Sequence, residues 1–150
     1  MLSKENIHQH LLVEIEKRIG DLKTILNEMF EAAGGTDAKS SAGDKHETGV
    51  AMAQLEQEKL TKQINELLKL QENLVRINPS IEHTKVGLGS LVETNNGCYY
   101  FSIGLGSIII DKEIVFALNP KAPIGELLTG KTKGDKVQFN GKTTEILSIQ

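Results

Sequence analysis

Two carboxylates three residues apart, Asp44 and Glu47 in the stretch SSAGDKHETG, form the pair best suited to chemistry in this chain. On a helix, spacing of i, i+3 places both on one face, or puts one at the cap and the other in the first turn. Two hard oxygen ligands suit Mg²⁺, which takes one or two carboxylates and completes its octahedron with water and substrate oxygens. They are too few to hold the ion alone, so the chemistry open to them is support of a divalent metal held by a partner. The competing reading is structural. Asp44 as N-cap and Glu47 as N3 make a capping-box-like pair that satisfies orphan N–H groups at a positive helix end. The readings are compatible, since one carboxylate can cap while the other acts. His46 lies between them and reads as a solvated loop histidine ahead of a ligand or proton donor.

A second stretch, GELLTGKT from Gly125 to Thr132, fits the phosphate-loop pattern G-x-x-x-x-G-K-[ST]. Its context argues against nucleotide binding. A phosphate loop precedes its helix, whereas Gly125 to Leu128 reads as part of a helix and Gly130 as the residue after its end. Two interior positions are leucines where converging N–H groups require small residues. After Thr132 only 18 residues remain, too few for a βαβ nucleotide fold. Cys98 is the single cysteine. It excludes an internal disulfide and reads as a small buried hydrophobe on a strand in a reducing compartment.

The elements that carry these residues differ between the two parts of the chain. Leu12, Ile15, Ile19, Leu22, Leu26, Met29 and Ala33 recur at steps of three and four, and Gly34-Gly35 ends the pattern. A second seam runs through Val50, Ala53, Gln57, Leu60, Ile64, Leu67, Gln71 and Leu74. Two such helices joined by a polar connector predict an antiparallel coiled-coil hairpin over residues 1–77, projecting roughly 45 Å with the acidic pair at its tip. From residue 78 to 150 the period is two. Strands are expected at Ser90–Thr94 and Cys98–Ile103 around Asn95-Asn96-Gly97, at Ile108–Ile110 and Glu113–Leu118, and at Val137–Phe139 and Thr143–Ile149 around Asn140-Gly141. Ala122 to Leu128 reads as one short helix. The fold class is therefore α+β: a helical hairpin followed by a small, mostly antiparallel β-domain.

The totals narrow the function. A net charge of −3 carries no generic basic nucleic-acid footprint. The charged N-terminus argues against a signal peptide, and no stretch approaches the roughly 18 apolar residues of a membrane span. A cytoplasmic protein that uses no membrane is expected.

Three features resemble the bacterial Gre family of transcript-cleavage factors over nearly the whole chain. They are G-D-x-x-E at Gly43 to Glu47, G-S-x-V at Gly89 to Val92, and NPKAPIGELLTGKTKGDKV. The last is similar to the family's signature at Pro123, Leu127-Leu128, Gly130-Lys131 and Gly134-Asp135. The resemblance implies an FKBP-like C-terminal domain that docks on RNA polymerase and a coiled coil that enters the polymerase's secondary channel. It implies that Asp44 and Glu47 assist a catalytic Mg²⁺ held jointly with RNA polymerase near the RNA 3′ end. The chain, expected to be a monomer, would then be an accessory factor with no cofactor or enzyme activity of its own. After Glu47 the family's Asn-Ala-Glu-Tyr is replaced by Thr48-Gly49-Val50-Ala51, and Ser40 stands where the family has arginine. These departures keep a second reading open, a paralogue that occupies the channel and inhibits or modulates transcription without cleavage. The FKBP-like fold also raises prolyl isomerisation. Tyr99, Tyr100 and Phe101 are consecutive on a strand, however, and cannot all line one pocket.

Overall fold

The computed structural model describes the backbone of residues 2–34 and 47–150, with side chains over 2–32 and 49–150. The chain divides into two compact units, one of Val13–Gln71 and one combining Met1–Leu12 with Glu72–Gln150.

The first unit is built from two helices, α1 (Lys4–Gly34) and α2 (Glu47–Val75), of 31 and 29 residues. Ile15 and Ile19 of α1 and Leu60 and Ile64 of α2 are buried, while Leu22, Leu26, Met29, Ala53, Gln57, Leu67 and Gln71 are half-buried. This is the apolar seam that the steps of three and four predict. Arg18, Asp21 and Leu22 share a groove with Gln63, Glu66, Leu67 and Leu70, whereas Phe30 shares one with Gln54, Gln57 and Glu58. Rising numbers on one helix meet falling numbers on the other, so the pair is antiparallel. One seam position and the expected stop depart from expectation. Val50 is 54% exposed. Gly34 still belongs to α1, and Ala33's side chain and Gly35 lie outside the described residues.

The second unit is a six-stranded sheet, β1 (Leu91–Thr94), β2 (Gly97–Phe101), β3 (Gly106–Ile110), β4 (Glu113–Leu118), β5 (Lys136–Phe139) and β6 (Lys142–Ile149), with one short helix, α3 (Pro123–Leu128). The strand order is β3-β4-β2-β1-β6-β5. All neighbours are antiparallel except β2 and β4, which run parallel with Cys98 opposite Val115 and Phe101 opposite Leu118. The sheet is thus mixed rather than purely antiparallel.

Alternation along each strand divides the core between the two faces. Val92, Phe101, Leu118 and Ile146 form one cluster with Val86 and Leu128, against which Ala122, Ile124 and Val137 pack. Tyr100 points to the opposite face, where it meets His8 of α1. The first turns of α1 therefore belong to the sheet's own core, and Ile7 and Leu11 are fully buried. That contact is long-range and left no local trace in the sequence.

The turns show which signals were specific. Asn140 and Gly141 have φ of 52° and 76°, the paired positive angles that Asn-Gly accepts in a tight hairpin. The β1–β2 turn differs. Only Gly97 is positive there (φ 137°), and Asn95 and Asn96 instead use their side chains. The Asn95 carboxamide accepts from Glu145 N–H at 2.7 Å, and Asn96 Nδ2 donates to Thr144 Oγ1 at 2.9 Å, tying the turn to β6. Asp111 and Lys112 connect β3 to β4 at φ of 48° and 69°, a tight turn without the glycine that normally announces one.

Candidate functional site

Asp44 lies outside the described residues, as do Lys45 and His46. Glu47 is described as the first residue of α2, already helical, but its carboxylate is among the side chains left undescribed. Of the proposed metal-supporting pair, Asp44 thus falls in sequence between the two seam-bearing helices and Glu47 at the start of the second. Its ligand geometry and its capping hydrogen bonds both lie outside the described residues. Immediately beyond it, Gly49 is exposed, and a Cβ there would meet nothing within 4 Å. Val50, Met52 and Leu55 of α2 and Phe30 of α1 are all more than half exposed, an apolar surface flanking the acidic segment. Among the described residues, no group of three or more His, Cys, Asp or Glu side chains could hold a metal ion.

The GELLTGKT segment is used up by the fold. Thr129 N–H donates to Gly125 O, Gly130 N–H to Val86 O and Lys131 N–H to Leu128 O, at 2.8–3.0 Å. Thr132 N–H donates to the Asp135 carboxylate at 2.8 Å, so a protein anion already occupies the place a phosphate would need. Gly125 is required for packing: a Cβ there would lie 2.7 Å from Pro120 O and 2.8 Å from Asn119 O. Gly130 and Gly134 both sit at positive φ, 83° and 91°. Gly134 N–H and Asp135 O then pair with Ile146 of β6. The signature's Gly-Lys and Gly-Asp are the joint that seats α3 on the sheet. In G-S-x-V, Gly89 adopts φ 90° with His83 Nε2 3.3 Å from where a Cβ would stand. Ser90 Oγ donates to Gly87 O at 2.6 Å and accepts from Gly87 N–H at 3.0 Å. Both motifs are explained by backbone geometry alone.

Sequence reasoning missed a set of titratable groups at the foot of α1. His8 Nδ1 and the Tyr100 hydroxyl share a buried hydrogen bond of 2.7 Å. Burial lowers the His8 pKa and raises that of Tyr100, with the Glu5 charge adding to the latter. Both are thus held neutral, and the arrangement that satisfies both has the phenol donating to Nδ1. Lys4 is buried too, and its Nζ donates to Ile81 O. Burial lowers its pKa, against the opposing charges of Glu5 and Glu82. His83 is lowered first by burial and then by Lys4. These residues come from α1, the segment after α2 and β2, and form no local motif. Only the inward spacing of Lys4, Ile7, His8 and Leu11 hinted at a buried face.

Cys98 is half-buried opposite Glu93 on β1. Burial and the Glu93 and Glu113 charges push its thiol up to about 11, which makes it inert at neutral pH. Tyr99 stacks on Phe116 with centroids 5.5 Å apart, while Tyr100 lies across the sheet against His8. Two cavities among the described residues of this unit, of about 540 and 390 Å³, are lined by no Tyr or Phe.

No family model and no curated protein matches the chain. Among solved structures it is similar to "Structure of the transcription factor Gfh1", at 18% identity over 96% of this chain and 91% of that one, with a TM-score of 0.35. Among the described residues, no helix is long and apolar enough to cross a membrane. The fold itself is α+β, a helical hairpin and a mostly antiparallel six-stranded sheet.

Proposed function

We propose that the chain is a Gre-like transcription factor that binds RNA polymerase and inserts its hairpin in the secondary channel. There Asp44 and Glu47 would stimulate cleavage of backtracked RNA by the polymerase's own active site. The observation that carries this reading is that G-D-x-x-E leads in sequence from between two antiparallel helices into the first residue of α2, each helix about 45 Å long at ~1.5 Å per residue. A long two-helix arm can bring side chains to a centre buried inside a large partner, and the exposed Phe30, Val50, Met52 and Leu55 offer apolar contact to the walls around it. A divalent metal in the polymerase would neutralise charge at the scissile phosphate and activate water. The chain's part is two hard oxygen ligands, which fit Mg²⁺ but are too few to retain it without the partner.

The replacement of the family's Asn-Ala-Glu-Tyr by Thr48-Gly49-Val50-Ala51 favours a second reading, occupancy of the channel with inhibition and no cleavage. One experiment separates the two. The protein is added to a backtracked complex of its cognate polymerase, and RNA length is followed beside an Asp44→Asn/Glu47→Gln sample. Shortened RNA with the native chain alone supports cleavage. Slowed synthesis without shortening selects the inhibitor, and absence of polymerase binding refutes both.

A further inference from the structure

The cavity of about 540 Å³ in the sheet unit lies within the ~300–1,000 Å³ usual for small-molecule sites. Its lining includes the cations Arg76 and Lys121, a neutral His83 and, among the described residues, no carboxylate. That is a local excess of positive charge in a chain whose net charge is −3. Two asparagines of the lining are oriented by the backbone. Asn78 Oδ1 accepts from Ser80 N–H and Asn119 Oδ1 from Lys121 N–H, each at 2.9 Å. With the oxygens engaged, each carboxamide presents its NH₂ end as a donor. Ile77, Ile81 and Leu88 supply apolar surface, and the last two are more than half exposed at 53% and 58%. We infer that this cavity binds a small phosphate monoester carrying an apolar group.

The charge and the volume select that class. Arg76 and Lys121 together balance a phosphate monoester, which carries about −2 at neutral pH. Guanidinium and ammonium groups are the side chains that bind phosphate oxygens, the former in a bidentate fork. Inorganic phosphate would leave the apolar side of the cavity unused. Arg76 now pairs with Glu72 at 2.7 Å, but both side chains are largely exposed. Such an exposed i, i+4 pair is weak, so a dianion can displace it.

The test is titration of the full-length chain with phenyl phosphate, followed by amide chemical shifts, with phenol and inorganic phosphate as parallel probes. Saturable binding is expected, with shifts centred on Arg76, Ser102 and Lys121. Phenol and inorganic phosphate should each bind more weakly. Arg76→Gln/Lys121→Gln should weaken binding at least about tenfold, since two charge-assisted hydrogen bonds are lost. Glu72→Gln, which releases Arg76, should tighten it. The Glu72 variant keeps the proposal testable if the double variant melts early. No saturable binding by about 10 mM phenyl phosphate overturns the inference. So does equal affinity for inorganic phosphate, or affinity that neither variant changes.

Discussion

Replacing Tyr100 by Phe removes one oxygen and nothing else from the sheet's second face. The ring is fully buried, so its apolar contacts survive and no large cavity opens. What is lost is the 2.7 Å hydrogen bond to His8 Nδ1, which leaves a buried imidazole nitrogen without its partner. The magnitude follows from an asymmetry. A satisfied hydrogen bond contributes about 1 kcal/mol net, whereas orphaning a buried polar group costs about 1–3 kcal/mol. Tyr100→Phe should therefore destabilise the sheet unit by about 1–3 kcal/mol, lowering Tm by about 4–8 °C per kcal/mol for a domain of this size. His8→Leu/Tyr100→Phe removes both partners and should recover most of the loss. The pH dependence gives an independent check. Burial lowers the His8 and His83 pKa values from the ordinary 6.5, so the unfolded chain takes up these protons first. Their contribution is fully present above the ordinary value and is lost as pH falls from there through the folded values. Chemical denaturation at pH 7.5 and 5.5 should show a shallower decline for His8→Leu than for the native chain. A Tyr100→Phe variant within about 0.5 kcal/mol of native, or a double variant no more stable than Tyr100→Phe, would refute the account.

Three further outcomes are expected. Gly49→Ala should stabilise α2 by up to about 1 kcal/mol, because the position is exposed, helical and open around a new Cβ; a melt of the full chain checks it. Lys112→Gly should raise stability by about 1 kcal/mol by relieving φ of 69° in the β3–β4 turn, read by urea unfolding. Cys98, with its thiol at about 11, should react with iodoacetamide at pH 8 more than about a hundredfold slower than an unfolded control; comparable rates would contradict its buried, carboxylate-flanked setting.

Much of this protein was legible in the chain because its signals are local. Steps of three and four marked both helices, since a seam must recur with the helical turn. The strand β4, Glu113–Leu118, fell where alternation placed it, and α3 begins at Pro123, one residue after the expected start, with Ala122 as its N-cap. Asn140-Gly141 behaved as its dipeptide predicts, and GELLTGKT was recognisable as a false phosphate loop because the order of helix and glycine was wrong. The acidic pair itself, Asp44 and Glu47, rests on sequence alone.

Tertiary structure decided what depends on distant partners. Nothing in HQH or CYYF announces that His8 and Tyr100 meet, because the contact joins residues 92 apart in sequence. Periodicity gives the face of a strand but not its neighbour, so the parallel pairing of β2 with β4 emerged only from the fold. The donor-lined cavity draws on α2, the segment after it and the approach to α3, and no single stretch carries its charge pattern. Local sequence specifies periodicity and turn geometry through each residue's own dihedral preferences. Long-range pairing is set by which buried surfaces fill one another's space, and that exists only once the chain has closed.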